Sequence, residues 1–262
     1  MTKPLHLAAG TSLLWLAASA TAAPYQAPEA DSDGFTRPLS TLRFNPYLDQ
    51  QEFERASLEA LDIYDPWTGV NRRIYQFNQR FDEWVYMPAV NGFRYVTPDI
   101  AEQGVTNFFS NLGDIGNLLN SALQLKGQRS MEITARLLIN TTIGVFGLWD
   151  PATLMGAAKH SEDFGQTLGH YGVGSGPYLV LPILGPSNLR DASGTLVDFG
   201  TSQAVNFLNV ATASSRNPAI TGVRALDARS NTAFQYGQTN SPFEYEKIRF
   251  VYDAARKIQI KD

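Results

Sequence analysis

An all-α fold is what this sequence predicts, on three observations. Apolar residues recur at helical spacings of three and four in several segments. Helix-opening pairs such as Asp-Pro and Ser-Pro return along the chain, and alternating strand patterns are scarce. The elements follow in order. "DPW" at Asp65–Trp67 places a carboxylate at an N-cap and proline at the first helical position, where a missing N–H costs nothing. From there Val70, Ile74, Phe77, Phe81 and Trp84 form one apolar stripe, with Arg72, Arg73, Gln76, Gln79, Arg80 and Glu83 on the far side. "TPD" at Thr97–Asp99 opens a second helix whose apolar side is Val105, Phe108, Phe109, Leu112, Ile115, Leu119 and Leu123. Ser130 opens a third, ending at Gly147 to Asp150, and "DPATLMGAA" starts a short fourth piece.

Ser187 or Asn188 begins another helix, and two more are expected over about 203–213 and 219–232. The last, "SPFEYEKIRFVYDAARKIQI", is capped by Ser241 and carries Tyr245, Ile248, Tyr252 and Ala255 on one side. Its Lys247, Arg249, Arg256 and Lys257 suit either a solvated face or contact with phospholipid headgroups. Amphipathic stripes of this kind can be buried in a soluble core or turned outward to lipid; periodicity alone does not separate the two.

The chain has 262 residues, 44% hydrophobic and 18% charged, enough to bury a core. Its net charge of −4 supplies no basic footprint for nucleic acid. Cysteine is absent, which excludes disulfides, thiolate metal sites and a cysteine nucleophile. Lys3, the apolar stretch Leu5–Ala18 and "ATA" at Ala20–Ala22 form an export signal over residues 1–22. "LAAS" at Leu16–Ser19 has the outline of a lipoprotein acylation box with serine in place of the thiol, an outline that any small-residue signal end also produces. Residues 23–64 read as a polar, proline-dotted extension, and 65–262 as the organised domain.

Five glycines crowd "GHYGVGSGPYLVLPILGPSNLRD", Gly169–Asp191. A phosphate loop fails for want of lysine, a dinucleotide loop fails at Pro177, and a nucleophile elbow on Ser175 fails because Val173 and Pro177 stand where glycine is required. His160 and His170, ten residues apart, have no metal-ligand spacing. No catalytic or metal constellation emerges. The glycine tract remains a chain reversal, either one fixed turn or a segment with several accessible shapes, stiffened at its exit by Pro177.

Three strings, "DPWTGVNRRIYQFN", "LLINTTIGVFGLWD" and "EDFGQTLGHYGVGSGPYLVLPILGPSNLRDASG", closely resemble the MlaA family, also called VacJ, and the likeness runs from about Asp65 to the final helix. The resemblance implies a ring-like arrangement of amphipathic helices around a central polar channel, with a glycine-rich hairpin, at the periplasmic side of the outer membrane. It implies removal of phospholipid from the outer leaflet to a soluble periplasmic lipid carrier (MlaC-like), alongside a trimeric porin, with no cofactor and no bond cleavage. Gly172 and Gly174, flanked by His170, Tyr171 and Pro177, match the family's flexible hairpin near the lipid path. Asn71, Arg72, Phe77 and Asn78 match its first-helix motif, with Phe77 expected in the core and Asn78 holding an adjoining turn. Ser19 departs from the family's acylated cysteine, so retention at the membrane would rest on helix insertion and porin contact. An envelope scaffold or porin-interacting protein of the same fold, without transport, is the alternative; a hydrolase using Ser175 and His170 is a third.

Overall fold

Residues 63–262 are described in the computed structural model, apart from 207, 208, 233, 239 and 240, and all belong to a single unit spanning 62–262. The expected export signal, and the expected extension up to residue 62, lie outside them. Helix α1, Thr68–Phe81, continues through one π-helical turn, Asp82–Tyr86, into α2, Met87–Val96. After Pro98 comes the long α3, Asp99–Leu123, then α4, Gly127–Thr142, the single turn α5, Pro151–Leu154, and α6, Phe164–His170. Strands β1, Tyr178–Leu181, and β2, Gly185–Asn188, form an antiparallel hairpin with Tyr178 opposite Asn188 and Leu181 opposite Gly185. Four helices follow: α7, Leu189–Val205; α8, Val210–Arg216; α9, Pro218–Ser230; and α10, Glu244–Lys261.

The all-α class holds, and several boundaries move for identifiable reasons. Asp65 does not cap α1, which starts three residues later behind Trp67. Its carboxylate is drawn away to Asn71 (2.7 Å) and to the Tyr245 hydroxyl. The third helix opens at Gly127 rather than Ser130, whose hydroxyl bonds back to the Lys126 carbonyl, and it stops at Thr142. The expected 203–213 helix is split: its start is the end of α7, which Asn206 closes in left-handed conformation (φ 40°), and its end is the start of α8. Ser241 sits ahead of the last helix, its Oγ accepting from the Phe243 amide (3.2 Å). By contrast, Asp150 and Asn188 cap α5 and α7 with their side chains.

The apolar cluster is small and aromatic: Tyr75, Tyr178, Val180 and Tyr245 are buried where α1, β1 and α10 meet, with Ile63, Ile74, Tyr236, Ile248 and Tyr252 packed around them. Tyr75 meets Tyr245 edge-on at 5.7 Å, and Tyr245 meets Tyr178 at 6.0 Å. Elsewhere the interior is polar. Among the described residues, seven apolar side chains are buried against nineteen polar or charged ones, so the usual partition is inverted. Of the two orientations that periodicity left open, the apolar stripe of α1 takes mostly the outward one: Val70, Phe77 and Trp84 are 55%, 51% and 74% exposed, while Ile74 packs against the cluster. Phe77 is therefore a surface residue, and Asn71, Tyr75, Asn78 and Asp82 form the inner face of the same helix. The pattern repeats on α7, where Leu189, Leu196 and Phe199 are exposed while Arg190 and Asp191 are buried.

Candidate functional site

The hairpin is held by two asparagine side chains from α1. The Asn71 amide donates to the Tyr178 carbonyl (3.1 Å) and accepts from the Val180 amide (3.0 Å). Asn78 repeats the arrangement one step along, donating to the Leu181 carbonyl (2.9 Å) and accepting from the Ile183 amide (2.7 Å). Seven helical residues rise about 10.5 Å, and three strand residues span about 10 Å, so the two side chains match the repeat of the free edge of β1. They act as a surrogate third strand and satisfy backbone groups that an edge would leave open.

Between the end of α6 and β1 runs the glycine loop. Its first residues are pinned: the Gly172 and Val173 amides donate to the Gly169 and Leu168 carbonyls, both at 3.0 Å. Its exit is pinned too, by the Arg190 amide to the Ser175 carbonyl (3.2 Å) and the Leu189 amide to the Pro177 carbonyl (3.0 Å). Between these anchors, Gly174 has open space wherever a Cβ would stand, and Gly172 takes a positive φ of 85° that strains any L side chain. The tight reversal of the hairpin itself lies at Pro182–Leu184, beyond the glycines. The exposed Tyr171 hydroxyl donates to the Leu123 carbonyl (2.5 Å) at the end of α3, and the His170 ring meets the Tyr171 ring edge-on at 5.2 Å. Among the described residues no hydrogen bond joins Ser175 to His170.

Beside the hairpin, a polar recess of about 430 Å³ is lined by Arg72, Tyr75, Gln76, Gln79, Glu244 and Tyr245. Arg72 lies 4.7 Å over the Tyr245 ring and pairs with Glu246. The Tyr75 hydroxyl donates to buried Glu244 (2.5 Å); burial, then that carboxylate, push the phenol well above its usual range, so it stays a donor. The structure thus brings Asn71 and Asn78 to the hairpin and Arg72 to α10, and leaves His170, Tyr171, Gly172 and Gly174 ahead of β1, in a loop tied to α3 through Tyr171 and to α7 through the Ser175 carbonyl.

Buried ion pairs tie the helices around these segments. Arg136 of α4 reaches Asp150 (2.8 Å) and, loosely, Asp114 of α3 (3.5 Å). Burial pushes Asp150 up, but bonds from Thr153, Arg136 and Asn140 outweigh it and bring its pKa down to about 2. Asp114 goes the other way, raised mainly by burial. Arg229 of α9 grips Asp82 in the π-turn (2.6 and 2.8 Å). Arg256 of α10 bridges Asp163 (2.7 Å) and Asp191 (2.8 Å). Arg249 likewise turns inward, to Asp65 (3.4 Å), so this helix spends two of its cations on the interior rather than on a solvated or headgroup-facing side. The His160 ring contacts the Glu132 carboxylate (2.5 Å), and Glu162 pairs with Lys126 and Arg129, so both carboxylates already have partners. Asp82, Asp191, Arg229, Arg256 and Glu244 were not singled out by motif, yet polar residues at helical spacing on each inner face were a readable signal.

A family model for the MlaA lipoprotein matches residues 63–259. An uncharacterised protein of Rickettsia prowazekii (strain Madrid E) is 34% identical over 204 residues, covering 77% of this chain and 80% of that protein. The intermembrane phospholipid transport system lipoprotein MlaA of Escherichia coli (strain K12) is 36% identical over 138 residues, 51% of this chain and 55% of that one. A chain solved in work on the structural basis for maintenance of bacterial outer membrane lipid asymmetry matches with a TM-score of 0.63 and 29% identity, over 76% of this chain and 100% of its own.

Proposed function

Because the chain belongs to the MlaA lipoprotein family, we propose that it moves phospholipid without bond cleavage or cofactor, from the outer leaflet of the outer membrane to a soluble periplasmic carrier. Lipid asymmetry is the outcome. The observation that carries this reading is the inverted partition: apolar side chains outside, polar and charged ones inside. Among the described residues no helix is long and apolar enough to cross a membrane. Amphipathic helices with greasy outer faces suit a position lying within one side of a bilayer, with the exposed stripes against acyl chains. Their polar inner faces would then surround a wet passage in a ring-like arrangement. A headgroup crossing bare hydrocarbon pays at least several kcal/mol per charge, and a polar lining removes most of that barrier.

Within this scheme the loop of Gly172 and Gly174 is the gate beside the path, with His170, Tyr171 and Pro177 at its ends. Asn71 and Asn78 fix the hairpin as its rigid post. The membrane face opposite the path meets a trimeric porin.

The test is deletion of the gene followed by labelling of outer-leaflet phospholipid. Accumulation that the intact gene reverses is expected; no accumulation, even with related genes removed, favours a scaffold of the same fold and rejects transport. Gly172→Ala should restore asymmetry poorly, because φ 85° costs an L residue about 1–2 kcal/mol, while Gly174→Ala, in open space, should restore it more fully. Full rescue by both at normal protein levels rejects the gate.

A further inference from the structure

A second feature of the outer surface has no part in that passage. Val105, Phe108 and Phe109 of α3, Leu148, and Ala219, Ile220 and Val223 of α9 line an open groove of about 300 Å³ with wholly apolar walls. At its rim stands Arg224, exposed, its guanidinium 6.0 Å from the centre of the Phe109 ring. Arg224 makes no ion pair among the described residues. Leu148, in the groove wall, is itself 46% exposed, and its neighbours Phe146 and Trp149 are 57% and 66% exposed, so the groove opens within an apolar surface.

We propose that this groove holds one acyl chain of a glycerophospholipid from the surrounding leaflet, with the lipid phosphate over Arg224. The inference rests on the membrane-embedded reading above. The volume is at the small end of ligand sites, suited to a single hydrocarbon tail and too small for a helix. A peptide segment would bring amide groups that nothing in these walls can satisfy. A saturated tail brings none. The unpaired cation one turn beyond Ile220 supplies the charge complement for a phosphodiester, and its stem can lie along the apolar wall while the head stays at headgroup level. Phe109 beneath the guanidinium holds it in place without neutralising it. The site is thus a lateral docking place that orients a lipid on the outside of the helices, separate from the polar recess at α1 and α10.

The experiment uses the full chain in nanodiscs with a phosphatidylglycerol bearing a diazirine midway along one acyl chain, followed by peptide mapping of the adducts. Adducts concentrated on 105–109 and 219–223 are expected. Ala219→Trp, which fills the groove, should cut them at least about fivefold, while adducts on the exposed stripe Leu196–Phe199 persist. The same size of loss, the factor for one cation near a phospholipid surface, is expected for Arg224→Glu. That loss should be absent with a diazirine-bearing diacylglycerol, which lacks the phosphate. Arg224 is exposed, so this variant reads the site even if Ala219→Trp fails to fold. Even labelling of all exposed apolar stripes, or labelling indifferent to Arg224→Glu, overturns the proposal. So does loss of the groove adducts when purified trimeric porin is added, since the groove would then be a protein interface. Adducts are read without transport: groove labelling in a chain that fails to restore asymmetry sinks only the transport reading, and working transport with no groove adducts sinks only this one.

Discussion

Replacing Asn78 with alanine would leave the Leu181 carbonyl and the Ile183 amide without their partner. Two backbone groups stripped in this way cost roughly 2–4 kcal/mol, read as a lowered thermal unfolding midpoint in detergent. An unshifted midpoint would mean that α1 does not hold the hairpin. Asp114 and Asp150 give a second contrast at this scale, since both face Arg136 but in unlike settings. Asp150→Asn removes the close partner of a cation only 1% exposed and should cost on the order of 3 kcal/mol. Asp114→Asn should change stability by less than about 1 kcal/mol, because its 3.5 Å contact barely offsets the burial of its charge. The pH dependence follows from the signs. Asp150 titrates lower in the folded chain, about 2 against 3.8, so its contribution is full above about pH 4 and fades as pH falls toward 2. Asp114, raised by burial, destabilises at neutral pH and stops doing so in acid. The gap between wild type and Asp150→Asn should therefore close between pH 5 and 2; a gap constant over that range would contradict the assigned ion pair.

At the scale of elements, α6 and α7 cross where Gly165 and Gly194 leave no room for a Cβ: one on Gly194 would collide with the Gly165 backbone. Gly194→Ala must push the helices apart and with them the bridge from Arg256 to Asp163 and Asp191, which spans the same crossing. Loss of folded protein is expected, or an unfolding midpoint lowered by the equivalent of about 1–3 kcal/mol; a normal yield and midpoint would show that the crossing can relax. The helices themselves were legible, because punctuation such as Asp150-Pro151 and Asn188 acts locally through caps. The hairpin was not. "GPSN" has no strand propensity, and it pairs only because β1 lies opposite and Asn71 and Asn78 close the other edge of that strand, 103 to 109 residues away in sequence. Glycines 172–176 marked a pliable stretch, yet the reversal fell at Pro182–Leu184. Asp65 misled for a similar reason, its carboxylate being claimed by Tyr245 from the far end of the chain.

For the whole molecule, the question left open by periodicity was which side of each stripe faces inward. The apolar stripes were easy to find, and the polar residues beside them have the same periodicity: Asn71, Tyr75, Asn78 and Asp82 on α1 and its π-turn, Asn111, Asp114, Ser121 and Gln124 on α3 and at its end. Uncharged amides at core spacing are a costly choice for a soluble helix, whose outer face can use any charged residue, and they mark a face that must be both buried and polar. Trp84 and Trp149, 74% and 66% exposed on different elements, test the orientation directly. In bilayers with brominated acyl chains both should be quenched strongly, and iodide in the water should quench them weakly. In a Trp67→Phe background, which removes the third tryptophan of the described residues (44% exposed), Trp84→Phe and Trp149→Phe separate the two signals without disturbing the interior, since neither ring is packed there. If the outer faces met water instead, iodide would win at both positions, and the membrane-embedded orientation would be rejected. If one tryptophan answered to bromine and the other to iodide, the bilayer would cover one side of the helices only.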